Sequence, residues 1–196
     1  MTQDRLARQI EFLLEIDQLK SVYRRSYLLS QERHENSAEH SWHVAMLAMV
    51  LAEHVDEPLD VPRVVKMLLI HDVVEIDAGD TFVYDRAAAA DKAEPERKAA
   101  DRIFGLLPED QRAEFVGLWE EYERGDTPEA RFAMAVDRLM PLLHNVHTQG
   151  RAWREHGVRC GQVIEVNARI GASSGRLWDY VRPLIEAAAR KGHLAE

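Results

Sequence analysis

Glu35-Asn36-Ser37-Ala38-Glu39-His40-Ser41-Trp42-His43-Val44-Ala45-Met46-Leu47-Ala48-Met49-Val50-Leu51-Ala52 decides how the rest of the chain reads. Its second half, Val44 to Ala52, is apolar without interruption, yet far shorter than the roughly 20 residues that a membrane helix needs. Asn36 and Ser37 carry side-chain oxygens that can accept from the free N–H groups at a helix start. The stretch therefore predicts a deeply buried helix from Ala38 to Val55.

Outward from this helix, apolar spacings of three and four recur along the chain, while sustained apolar/polar alternation is missing. The expectation is a single all-α domain over residues 1–196. A first helix is expected from Asp4 to Leu19, with Leu6, Ile10, Leu13, Leu14 and Ile16 as its apolar stripe, followed by a polar loop from Arg24 to Glu35. Asp60 and Pro62 open a helix that reaches His71-Asp72 before Gly79 stops it. The alanine-rich, charged stretch from Asp80 to Glu94 reads as a partly ordered loop or lid, with a short β-leaning segment at Thr81 to Tyr84. Further helices are expected over Pro108–Arg124, Thr127–His147, Gln162–Ile170 and Arg176–Arg190, the last one bent at Pro183.

The chain has 196 residues, with 25 Lys+Arg against 34 Asp+Glu and a net charge of −9. A chain of this length buries about 70% of its unfolded surface, so folding needs no disulfide or metal staple. The acidic balance argues against long nucleic acids and anionic membranes, both of which need a basic face. Small phosphorylated ligands stay open. Cys160 is the only cysteine, which excludes an intrachain disulfide and fits a reducing compartment. The N-terminus, with Asp4, Arg5, Arg8 and Glu11, lacks the apolar core of a secretory signal, so the expected location is cytoplasmic.

Chemistry concentrates where histidines meet carboxylates inside apolar helices. His34, His54, His156 and His193 lie in polar or terminal contexts and read as solvated. His71-Asp72, by contrast, follows the stretch Val64 to Ile70, apolar but for Lys66, and Asp137 is embedded in Phe132-Ala133-Met134-Ala135-Val136-Asp137-Arg138-Leu139. Burying such charges is costly without compensation, and a cation compensates them. Spacing alone leaves two readings open: a shared ion for His40, His71, Asp72 and Asp137, or separate packing roles such as an Asp137–Arg138 pair. No short zinc signature of the H-E-x-x-H type is present.

The order His40, His71-Asp72, Asp137 resembles the H…HD…D pattern of the HD-domain metal-dependent phosphohydrolases. Glu35-Asn36-Ser37-Ala38-Glu39-His40-Ser41-Trp42, His71-Asp72-Val73-Val74-Glu75, Gly79-Asp80 and Val136-Asp137-Arg138-Leu139-Met140-Pro141-Leu142 resemble, more narrowly, the branch that contains the 5′-deoxynucleotidases. The resemblance implies the helical HD-domain fold, with His40, His71, Asp72 and Asp137 as ligands of one divalent ion. Manganese, cobalt, iron, nickel, zinc or magnesium would serve, and the ligands alone do not choose. His43 lies three residues from His40 but outside the Glu-His-Ser step, so it reads as a supporting or packing residue. His144 shares a helix face with Asp137 at about 10 Å, too far to share its ion.

Glu75, four residues after His71, projects toward the same region on a continuing helix, and the resemblance gives it a catalytic role. Asp80 corresponds to a substrate-contacting aspartate, and Arg24 to the arginine that orients the substrate phosphate. Arg25 and Arg33 are further candidates for phosphate oxygens, which guanidinium forks bind in two-pronged fashion. Relatives tend to carry tryptophan after that first arginine; this chain has Arg25, which puts its sugar discrimination in question. The expected activity is removal of phosphate from a nucleoside 5′-monophosphate, a deoxyribonucleotide in particular, by a homodimer. The alternatives are a non-catalytic metal- and nucleotide-binding sensor module, or a hydrolase of another phosphoester.

Overall fold

The computed structural model describes residues 4–85 and 91–196. Thr127 starts the longest helix: its hydroxyl accepts from the Ala130 N–H at 3.1 Å, and Pro128 pre-sets the first turn. This helix, Pro128–His147, buries Phe132, Ala133, Val136, Leu139 and Leu142 and forms the axis of the molecule. Pro141 lies inside it, and the Asn145 side-chain amide donates to the Pro141 carbonyl at 3.0 Å.

In chain order the elements are α1 (Arg5–Glu15), a 3₁₀ segment (Ile16–Ser21), β1 (Tyr23–Tyr27), β2 (His34–Asn36), α2 (Ser37–Leu51) and α3 (Val61–Ile70). There follow α4 (Glu75–Ala78), α5 (Ala93–Phe104), α6 (Glu109–Arg124), α7 (Pro128–His147), α8 (Arg151–Glu155), α9 (Cys160–Asn167) and α10 (Gly175–Arg190). Helices α2, α3 and α7 pack on one another, and the hydrophobic core extends continuously from Phe12 to Leu194. The fold is helical, as expected, with one small exception.

That exception is an antiparallel hairpin where a polar loop was expected. β1 pairs with β2, Tyr23 opposite Asn36 and Tyr27 opposite His34, with an irregularity between. The strand Tyr-Arg-Arg-Ser-Tyr has almost no apolar signal of its own; it is held by stacking of Tyr27 on His34 at 4.0 Å and of the Arg151 guanidinium on Tyr27 at 3.7 Å. The β-leaning segment at Thr81 to Tyr84 forms no strand. The segment expected as a lid is described only in part, since residues 86–90 lie outside the described residues, and it ends in α5. Charges in the first turns of α5 hide its short buried face, Ala99, Ala100, Ile103 and Phe104.

α2 begins at Ser37, one residue before the expected Ala38, and ends at Leu51, where a 3₁₀ turn replaces the expected run to Val55; it is buried on one face only, with Trp42, Met46, Met49 and Val50 exposed. Asn36 accepts from the Glu39 N–H at 2.9 Å, and the Glu39 carboxylate accepts from the Asn36 N–H at 3.3 Å, a reciprocal cap. α1 is turned the other way from its expected stripe. Phe12 is buried, while Leu6, Ile10, Leu13 and Leu14 face outward. Arg8 decides this orientation: its guanidinium donates to the carbonyls of Gly105, Leu106 and Leu107 at the end of α5, where cations are favoured.

Candidate metal centre

Four side chains from three parts of the chain converge on one buried point. The reciprocal cap fixes the start of α2 and so places His40 in its second turn, wholly buried. α3 ends at Ile70, and the backbone turns through residues 71–74 before α4 begins at Glu75. This turn, rather than a continuing helix, presents His71 and Asp72 side by side. Asp137 projects from the middle of α7.

The contacts are short. His40 Nε2 lies 2.8 Å from Asp137 Oδ1 and 4.0 Å from Asp72 Oδ2. His71 Nε2 lies 3.0 Å from Asp72 Oδ1 and 3.7 Å from Asp137 Oδ1. The second oxygen of Asp137 accepts from the Tyr122 hydroxyl at 3.0 Å. His71 Nδ1 is 2.8 Å from the Leu68 carbonyl, which places the proton there and leaves Nε2 with a lone pair. Nε2 is buried and has no hydrogen-bond partner. An orphaned imidazole nitrogen beside two carboxylates fits a divalent ion, and the two-histidine, two-aspartate set suits a borderline transition metal.

Electrostatics point the same way. Burial and Arg24 work to lower the pKa of His40, but Asp137, Glu35 and Asp72 outweigh them and raise it to about 9. The excess of carboxylate oxygens that holds a proton on His40 is also what attracts a cation. Burial would raise the pKa of Asp137, yet Arg138 and the two imidazoles hold it well below the usual carboxylate range. Asp137 therefore stays ionised.

Glu75, the first residue of α4, accepts from the Ser37 hydroxyl at 2.6 Å. Burial first, then the nearby Asp72 charge, pushes its pKa well above the ordinary value, against the opposing pull of Arg24. Gly79 ends α4 with φ 77°, a backbone conformation that glycine adopts freely, and the chain then turns Asp80 back toward the centre. Arg24 joins these groups: its guanidinium lies 2.7 Å from Asp72, 3.4 Å from Asp80 and 3.8 Å from Glu75. The next residue on the strand, Arg25, is exposed and borders an adjoining cleft with Ser26 and Phe82. Arg33 is not brought to the centre. Its fork is engaged with Glu39, at 2.6 and 2.8 Å, on the surface.

An open cleft of about 500 Å³ runs from His71, Asp72 and Asp137 past Arg24 and Asp80 to Lys92, Arg138 and Arg169, with His40 buried behind it. Its size is that of a small-ligand site. Sequence reasoning missed several groups here. Glu35 lies 3.5 Å from His40 Nδ1, and Ser37, read as a cap, holds Glu75. Tyr122 carried no local signal, because its partner Asp137 comes from another helix, and Lys92 pairs with Glu96 one turn on, an ordinary surface spacing that does not mark a cleft.

The comparisons with known proteins agree with this geometry. A family model described as "HD domain" matches residues 16–178. The human "5′-deoxynucleotidase HDDC2" is 35% identical over 135 residues, covering 68% of this chain and 65% of that protein. The chain thus spans slightly less than two thirds of that relative's length. A crystal structure titled a predicted metal-dependent phosphohydrolase, from Magnetospirillum magnetotacticum MS-1, is 54% identical, with a TM-score of 0.93 over 99% of this chain and 100% of that one. An HD-domain phosphohydrolase from Listeria innocua, 14% identical, shares the fold with a TM-score of 0.58 over 93% of this chain and 86% of its own. With its histidines and aspartates in the H…HD…D order, converging from α2, the turn after α3 and α7, and with the family model matched over most of its length, this chain belongs to the HD-domain family, whose members imply a divalent metal.

Proposed function

We propose that the protein is a divalent-metal phosphohydrolase that removes phosphate from a nucleoside 5′-monophosphate, a deoxyribonucleotide in particular. The observation that carries this reading is the convergence of a cation-binding donor set, a carboxyl group of raised pKa and an arginine at the mouth of one cleft. The curated relatives named 5′-deoxynucleotidase support it.

His40, His71, Asp72 and Asp137 would hold the metal, which when bound lowers the pKa of water and polarises a phosphoryl oxygen. The remaining work falls to the protein. Glu75, kept oriented by Ser37, takes and returns a proton beside Asp72. Arg24 presents a charged fork to phosphate oxygens and keeps its charge, because four carboxylates around it outweigh the effect of burial. Asp80, largely buried and with its pKa raised chiefly by that burial, faces the same guanidinium and would accept from a sugar hydroxyl. Arg25 borders the side of the cleft where relatives tend to carry tryptophan. Since Glu39 holds Arg33, the substrate contacts proposed rest on Arg24 and Asp80, with Arg25 at the rim.

The reading extends to a cytoplasmic homodimer. α2 is apolar nearly all round, yet Trp42 and Met49 are 61% and 58% exposed on its outer face, a surface that a second copy would cover. Among the described residues no helix is long and apolar enough to cross a membrane. The test of substrate choice is phosphate release from paired ribo- and deoxyribonucleoside 5′-monophosphates, with manganese or cobalt added to metal-stripped protein. Faster release from the deoxy member of each pair is expected. Stoichiometric nucleotide binding without any release would make the protein a sensor module instead.

A further inference from the structure

Three more donors gather on the far side of His40. Glu35 lies in β2, His43 in α2 and His144 in the last turn of α7. One ligand atom from each lies within 4.8 Å of the other two. Glu35 Oε2 is 3.8 Å from His144 Nδ1, and the rings of His43 and His144 have their centres 5.9 Å apart. Glu35 and His144 are buried, at 1% and 3% exposure, while His43 is half-buried and opens the group toward the surface.

Neither Glu35 Oε2 nor His144 Nδ1 has a hydrogen-bond partner. Buried polar atoms left unpaired are rare and point to a missing occupant. The chemistry of the group narrows what that occupant is. Glu35 offers a carboxylate oxygen, and His43 and His144 each offer a ring nitrogen. Burial keeps His144 below the ordinary histidine value, so its ring is neutral and has a lone pair free. One carboxylate and two imidazoles make a donor set that borderline cations such as zinc accept, with a fourth position left for water.

We propose that Glu35, His43 and His144 form a second cation site, suited to zinc or cobalt and separate from the donor set of His40, His71, Asp72 and Asp137. The two sites meet at Glu35, whose carboxylate also faces His40 Nδ1 at 3.5 Å. The proposal does not depend on the phosphohydrolase reading, because its readout is metal content.

The test is equilibrium dialysis of the metal-stripped full chain against Co²⁺, followed by metal analysis and visible absorption. Wild type is expected to hold one more equivalent of Co²⁺ than His43→Gln, and His144→Gln is expected to lose the same equivalent. His43 is half-buried, so His43→Gln should keep its fold, which a thermal melt verifies. Asp72→Asn, weakened at the other centre, should retain the equivalent that depends on His43. Equal Co²⁺ content in wild type, His43→Gln and His144→Gln would overturn the proposal and assign the space to a bridging water or a shared proton.

Discussion

One carboxylate, Asp72, faces Arg24 at 2.7 Å, His71 at 3.0 Å and His40 at 4.0 Å, so its removal disturbs every charged partner in the centre. Asp72→Ala is expected to abolish cation uptake at this centre, read by metal analysis after dialysis. Glu75→Gln keeps the shape and the Ser37 contact but cannot take up a proton; it should retain the metal and slow turnover about a hundredfold or more. Full activity in Glu75→Gln would remove its assigned role. The sequence made His71-Asp72 and Asp137 legible because charge inside apolar helices demands an explanation. Glu35 was not legible. Its partners His40 and His144 lie on two other elements, and nothing adjacent in sequence marks it.

Elements show the same division. Caps are local chemistry, so the starts of α2 and α7 could be read from Asn36 and from Thr127-Pro128. The hairpin could not, since its strands are polar and are held by a Tyr27–His34 stack across it and by Arg151 from far along the chain. Thr127→Ala should destabilise by about 1 kcal/mol, and by somewhat more because the hydroxyl also donates to Glu121 at 2.7 Å; a urea melt reads this. Gly150→Ala should be severe: φ is 69° there, and an added Cβ would overlap the His193 carbonyl, prising the C-terminal segment from α8. The tie between α1 and α6 sets a pH dependence. Arg5 holds Asp110 down at a pKa of about 2, against an ordinary 3.8. The pair therefore stabilises the fold fully above the ordinary value, and its contribution is lost as pH falls toward about 2. The pair is exposed, so the difference in urea midpoint between wild type and Asp110→Asn should be small, shrink in high salt and vanish near pH 2.

Across the whole molecule, one core positions a polar cleft on one side and leaves apolar helix faces uncovered on others. Leu6, Ile10, Leu13 and Leu14 of α1 and Trp42, Met46, Met49 and Val50 of α2 are all exposed. Light scattering should give twice the chain mass of 22.5 kDa, and Trp42→Glu should shift the population toward the single chain. The amphipathic stripe of α1 was legible as a stripe, but which way it faced was not, because Arg8 and the end of α5 set the orientation. The central claim is that a divalent ion held by His40, His71, Asp72 and Asp137 supports phosphoester hydrolysis in the cleft beside Arg24. Its most direct test is phosphate release from a deoxynucleoside 5′-monophosphate by metal-stripped protein, before and after Co²⁺ is added, with Asp72→Ala in parallel. The account predicts release only from wild type, and only with the metal. Equal release by Asp72→Ala, or release by the stripped protein, would contradict it.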